Sequence, residues 1–400
     1  MNKLKIVLLV IFSLTITFRL SLLSAQSDVF WDKPRSGANF FNHVEKIERL
    51  HFAKEFGVSF IRLAPNKWSS SVVGSKEGDF LIGQNNFRHI NQEDVKLLKD
   101  ILDKAEQSGT KVVLTMLDIP GGRWKQHNNG KEERTLWTDF EKQKEAISFW
   151  KQLASTLKGH PAVVALNIKN EPSPELANPT KMFSDWYTGN YEEWYSKIKD
   201  TPADLNLFYQ KIVAAIREVD TNIFIVLDSG FYGTPWGFKI LKPIIDDHKI
   251  LYSFHMYEPY AFTSKDNRRH FSYPGKIPLG EKPGTQKIFF NKKELESFLQ
   301  PVIDWQQKYN IPSNRILVGE VGVYRRNKGA AEYLKDTISI FKDHKWHWAF
   351  YAFREDTWDG MDYELGGGSA GENYWNAIDK GEMPKYKKND FSEIIRSSLY

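Results

Sequence analysis

The sequence predicts a single (β/α)8 barrel, and three observations predict it. Eight short apolar runs recur along the 400 residues, near-continuous rather than alternating, as suits strands buried on both faces of a parallel sheet. Segments with apolar residues at helical spacing separate them. Several runs end in one polar or charged residue, the pattern of a barrel whose chemistry lies at the carboxyl ends of its strands.

The elements follow in order. Ser36 to Asn42 precedes a helix from His43 to Phe56 closed by Gly57, and Phe60 to Pro65 precedes an amphipathic helix from Gln92 to Gln107 closed by Ser108 and Gly109. Lys111 to Leu117 is followed by a helix over Asp139 to Leu157, and Val163 to Glu171 by one over Ala203 to Val219. Ile223 to Gly230 pairs with Phe238 to Asp247, Ile250 to Tyr257 with Lys292 to Tyr309, and Ile316 to Gly322 with Gly329 to His344. Trp348 to Glu355 is the eighth strand, ahead of a terminal helix around Phe391 to Ser398. Pro172 cannot donate to a sheet ladder and biases Glu171 toward extended geometry, so the fourth strand is expected to end on that carboxylate. An open doubly wound sheet would bring a glycine-rich phosphate turn after its first strand, and Gly37-Ala38-Asn39-Phe40 is not one. Gly366 to Gly371 has no preceding strand and no nucleotide-loop lysine, and reads as a flexible loop.

Residues 1–25 read as a signal peptide. Lys3 and Lys5 precede the apolar run Ile6 to Phe18, Leu23-Ser24-Ala25 offers a cleavage site ahead of Gln26, and Arg19 interrupts the run before it could span a bilayer. The remaining 26–400 are expected to form one secreted or periplasmic catalytic barrel, free of the membrane after cleavage and acting as a monomer. The leader carries three of the cations behind the net charge of +5, so the rest of the chain stands at +2 and gives no reason to expect a nucleic-acid partner. Without cysteine, no disulfide can form, and stability must come from packing. Aromatic residues reach 14%, many of them in the long connections Pro120 to Thr138, Pro172 to Pro202 and Pro259 to Phe290. Flat rings there suit the apolar faces of sugars, and Trp186 and Trp194 are the candidate stacking residues.

The polar residues at the expected strand ends are Arg62, Asn170, Glu171, His255, Tyr257 and Glu320. Glycoside hydrolysis needs one carboxylic acid to protonate the departing oxygen and a second carboxylate to attack the sugar carbon, with their acidities pushed apart. Arg62 by charge pairing and Tyr257 by hydrogen bonding could keep one glutamate ionised while the other donates the proton. No metal or other cofactor is expected.

From about Ser36 to about Leu365 the sequence resembles glycoside hydrolase family 5, the cellulase family of clan A. The Asn170-Glu171-Pro172 triplet, Ile61-Arg62-Leu63 and His255-Met256-Tyr257 carry the likeness. The resemblance implies that Glu171 is the acid/base, Glu320 the nucleophile, Asn170 the group that binds the sugar 2-hydroxyl, and Arg62 a neighbour of the nucleophile. It further implies a retaining, endo-acting enzyme that cleaves β-1,4-linked glucan, with a β-mannanase or other β-glycanase, or a non-catalytic carbohydrate-binding barrel, as alternatives. Two positions depart from the pattern. Leu117 stands where many members have a histidine, and the eighth strand lacks the usual tryptophan, leaving the aromatics of Phe350 to Phe353 and Trp358 to serve as the platform. The acidic positions Asp356, Asp359, Asp362 and Glu364 lack the spacing of a calcium loop and read as a solvated loop.

Overall fold

A computed structural model describes residues 30–400 apart from 84–86, 178–188, 268–269, 280–285, 357, 381 and 383–385. The leader therefore lies outside the described residues. Eight parallel strands close into a barrel in chain order: β1 Ser36–Phe40, β2 Phe60–Leu63, β3 Lys111–Thr115, β4 Val163–Asn167, β5 Phe224–Asp228, β6 Ile250–Met256, β7 Ile316–Val321 and β8 His347–Phe350. The covering helices include α1 Gln92–Gln107, α2 Phe140–Leu157, α3 Tyr191–Ile198, α4 Leu205–Arg217, α5 Gln300–Tyr309, α6 Ala330–Asp343 and α7 Asp390–Ser398. The first four begin where the side chains of Asn91, Asp139, Asn190 and Asp204 accept hydrogen bonds from otherwise unpaired backbone N–H groups. No helix among the described residues is long and apolar enough to cross a membrane.

Three expected helices differ. His43 to Phe56 is a 3-10 segment over Val44–His51 and a short helix over Phe52–Phe56, ended by Gly57 at φ 104°. Lys292 to Tyr309 breaks at Leu299, where Pro301 opens the second half. Phe238 to Asp247 retains only the 3-10 turn Pro235–Lys239. Pro243 removes a donor there, and the backbone beyond the turn bonds to its neighbours instead: Asn206 bridges Ile240 and Lys242, and Trp305 Nε1 donates to the Leu241 carbonyl.

The acidic segment is a set of buried ion pairs rather than a solvated loop. Asp356 meets Lys67 and His43, Asp359 meets Arg325 and Arg326, and Glu364 meets Arg354. The glycine-rich loop is likewise pinned, because buried Arg325 donates to the carbonyls of Gly366 and Gly368.

The large apolar core lies between strands and helices, and a second cluster fills the barrel itself. Trp31 closes its amino-terminal end. The indole is fully buried, donates from Nε1 to the Val164 carbonyl at 3.0 Å, and packs edge-on against Phe60 and His347. The chain end returns to the same face, where the Tyr400 backbone N–H donates to Ser36 Oγ at 3.0 Å and Arg396 reaches the Phe56 carbonyl. Truncating Trp31 to Ala should cost about 3–5 kcal/mol through lost burial and the void left behind. Urea unfolding of the two proteins measures it.

Candidate active site

Period-two alternation decides which side chains enter the barrel. Phe60 and Arg62 share one face of β2; Phe224, Val226 and Asp228 share one face of β5; Leu251, Ser253 and His255 share one face of β6. The first residues of each set belong to the apolar cluster above Trp31. One further step of two residues turns that interior polar, and the charged layer forms there.

Arg62 is its centre, with no exposed surface. One terminal nitrogen donates to Asn39 Oδ1 at 2.6 Å, the Gly319 carbonyl at 3.0 Å and Glu320 Oε1 at 3.0 Å. The other donates to Asn167 Oδ1 at 2.6 Å and Asn170 Oδ1 at 2.9 Å, and stands 3.8 Å from Asp228 Oδ2. Glu320 is gripped on both oxygens, since Tyr257 donates its hydroxyl to Oε2 at 2.7 Å. His255 Nδ1 lies 2.8 Å from Glu171 Oε1 and 3.7 Å from Glu320 Oε2. Its Nε2 is 3.3 Å from Asp228 Oδ2, a charge contact rather than an aligned hydrogen bond. Gly319 is needed for this crowding, because a Cβ there would come within 3.0 Å of His255 Nε2 and 2.7 Å of Ser253 Oγ.

The electrostatics follow from this packing. Burial alone would depress the His255 imidazole, but the charges of Glu320 and Asp228 outweigh it and raise its pKa to about 10. Burial would raise the Asp228 carboxyl, but His255, Arg62 and Ser253 hold it down at about 2. Glu171 ends up raised, chiefly by burial and then by the charges of Glu320 and Asp228, against the opposing contact with His255. One oxygen each of Glu171 and Glu320 and one nitrogen of His255 lie within 4.8 Å of one another. That convergence could suit a cation, but an imidazolium has no lone pair to offer, and its Nδ1 is already engaged with Glu171.

Glu171 differs from expectation in backbone, not in place. The β4 ladder ends at Asn167, and Glu171 sits four residues on at φ 49°, left-handed rather than extended. Proline excludes the right-handed helical region before it, and hydrogen bonds select the turn: Asn170 N–H donates to the Met116 carbonyl at 2.8 Å and Glu171 N–H to Asp228 Oδ2 at 3.2 Å. For an L-residue this region costs roughly 1–2 kcal/mol.

The aromatic candidates separate. Trp194 is 3% exposed on α3 and packs on Phe231 in a cluster with Tyr191 and Ile198, so it is loop core and not a stacking surface. Trp186 lies outside the described residues. Around the end of β8, Phe350 and Phe353 are buried, whereas Tyr351 and Trp358 are half-buried with ring centroids 6.0 Å apart. Tyr351 packs edge-on against Phe41 and donates its hydroxyl to Glu355 Oε1 at 3.0 Å, and the charges of Glu320 and Glu171 act on it. Leu117 joins Phe41 and Ala64 in an apolar patch flanked by half-buried Trp124 and Tyr351. Sequence reasoning passed over Asn39, Asn167 and Asp228. Asp228 had the same signal as Glu171, an apolar run ending in a carboxylate.

The profile of the cellulase family, glycosyl hydrolase family 5, matches residues 27–357. The chain belongs to that family. Curated relatives of this family-5 enzyme include Endoglucanase C of Acetivibrio thermocellus, 23% identical over 330 residues and 77% of each chain, and an endoglucanase of Paenibacillus polymyxa, 24% identical over 58% of this chain and 54% of the relative. Among solved structures, an endoglucanase from the hyperthermophilic Thermotoga maritima superposes with a TM-score of 0.59 at 16% identity, covering 94% of this chain and 99% of its own. The cellulose synthase subunit Z of Clostridioides difficile gives 0.58 at 17% identity, covering 92% and 99%. The family-5 chain is a glycoside hydrolase with an endoglucanase-like fold.

The raised imidazole has a consequence for stability. A proton bound more tightly in the folded than in the unfolded state stabilises fully below the unfolded pKa of about 6.5 and is lost as pH rises toward 10. The melting temperature of the wild type should therefore fall between pH 7 and pH 10 more steeply than that of His255→Gln. Parallel slopes in calorimetry would mean the imidazole is neutral.

Proposed function

We propose that the enzyme is a retaining endo-β-1,4-glucanase, with Glu320 as nucleophile and Glu171 as acid/base. The observation that carries this reading is the close approach of the two carboxylates, whose nearest oxygens lie within 4.8 Å. Retaining pairs stand roughly 5–5.5 Å apart, and inverting pairs about 6.5–9.5 Å apart to admit water. The roles follow from the surroundings. Glu320, fixed through both oxygens by Arg62 and Tyr257, is aimed for attack at the sugar carbon, while the raised Glu171 carboxyl is the proton donor. In this reading Asn170, whose Oδ1 accepts from Arg62, binds the sugar 2-hydroxyl. His255 lies between both glutamates, and its Nδ1 contact with Glu171 strengthens once Glu171 has given up its proton. Tyr351 and Trp358 supply the apolar faces on which sugar rings stack. The curated relatives are named endoglucanases, which favours glucan. The Thermotoga maritima protein was solved with cellobiose and with mannotriose, so β-mannan is the second reading. The reading includes export, with the mature chain starting near Gln26.

Reducing-end release from soluble β-glucans, mannans and xylans ranks the substrates. Proton NMR of early product should show the β-anomer first, and Glu320→Gly should be rescued by azide to an α-glycosyl azide. First appearance of the α-anomer, or formation of an α-glycosyl azide by Glu171→Gly while Glu320→Gly stays inert, overturns the assignment. For the platform, Tyr351→Ala should raise KM on long glucans at least tenfold, and Trp194→Ala should leave KM unchanged while lowering stability. The reverse would return stacking to the β4 loop.

A further inference from the structure

Lys169 is a buried charge for which the mechanism above has no use. It is 5% exposed, and its ammonium donates to two backbone carbonyls, Leu117 at 2.5 Å and Asn170 at 3.3 Å, with no carboxylate in ion-pair contact among the described residues. The face of the half-buried Trp124 ring lies 5.6 Å away. Burial lowers its pKa to about 8, against the attraction of Asp118, Glu132, Glu171 and Asp228. A methionine or leucine would fill the same space without the desolvation cost, so the charge itself needs a reason.

The second of those carbonyls supplies it. The Asn170 carbonyl and the Glu171 N–H belong to one peptide unit, and each faces a buried charge: Lys169 Nζ donates to the oxygen, while Asp228 Oδ2 accepts from the nitrogen. The orientation of that plane sets φ of Glu171, the residue at 49°. The first carbonyl, Leu117, lies just beyond β3, so the ammonium also ties this turn to the neighbouring strand end.

We propose that Lys169 is a positioning residue for the acid/base: together with Asp228 it grips the Asn170–Glu171 peptide from both edges and holds Glu171 in the left-handed turn that aims its carboxyl across the barrel mouth. The inference rests on the assignment of Glu171 as acid/base. It predicts a defect confined to steps that need proton donation. Dinitrophenolate departs without help, whereas the sugar alkoxide released from an oligosaccharide does not.

The test compares kcat/KM on 2,4-dinitrophenyl β-cellobioside and on cellotetraose, with folding followed by thermal melts. Lys169→Met should lose about 100-fold on cellotetraose and less than about threefold on the aryl glycoside, and Lys169→Arg should recover most of the loss. Lys169→Gln, which keeps a neutral donor, carries the same comparison should the methionine variant not fold. Glu171→Gln separates the two ideas. If it shows no preference for the activated leaving group, the acid/base assignment fails. If it does, and the Lys169 variants lose equally on both substrates or on neither, Lys169 contributes packing alone and the proposal is overturned.

Discussion

The active end of the barrel depends on one fully buried guanidinium. Arg62 lies in an interior that a few ångströms below is entirely apolar, and a charge there is tolerated only when it is paired and hydrogen-bonded. Asn39, Asn167, Asn170, the Gly319 carbonyl and Glu320 engage its two terminal nitrogens, while Nε has no partner among the described residues. These partners come from β1, the end of β4 and β7, so satisfying one side chain fixes the relative positions of three of the eight strand ends. Asp228 extends the set to β5, and through His255 to β6. Glu171 and Glu320 are thus held by a network whose first requirement is the accommodation of a cation, and the raised pKa of Glu171 arises within that buried arrangement.

Legibility from sequence followed the same physics. Long amphipathic helices were readable almost to the residue: α1 was expected and found at Gln92 to Gln107. Strands were readable as apolar runs, but the fourth ends four residues before Glu171, whereas Arg62, Asp228, His255 and Glu320 remain paired within theirs. Glu171 shows why: its backbone conformation is set by Met116 and Asp228, partners distant in sequence, which a local proline rule cannot include. Where a helix depended on continuity through proline, at Pro243 and Pro301, periodicity alone overstated it. The acidic segment misled for the opposite reason, since its cations, Lys67, Arg325, Arg326 and Arg354, lie on other connections or before it in the chain.

The aromatic residues carry a related lesson. Composition signals a surplus of rings in the connections but not which of them face the mouth. Trp194 is consumed in seating α3 on Phe231, whereas Tyr351, one of several aromatics around the end of β8, is left half-exposed because its neighbours Phe350 and Phe353 turn into the core. A tyrosine in that position adds a hydroxyl bound to a buried carboxylate, and so couples a half-buried ring to the ionic cluster of Glu355, Lys67 and Asp356.

The contact between Tyr400 and Ser36 places the last residue beside the first strand, on the floor of the barrel and away from its mouth. The described chain is therefore close to a closed ring. A short peptide could join its two ends, and new termini could be opened in a surface connection without rethreading any strand. By the same geometry, a module fused to the carboxyl terminus would hang beneath the barrel, leaving the approach to the cleft unobstructed.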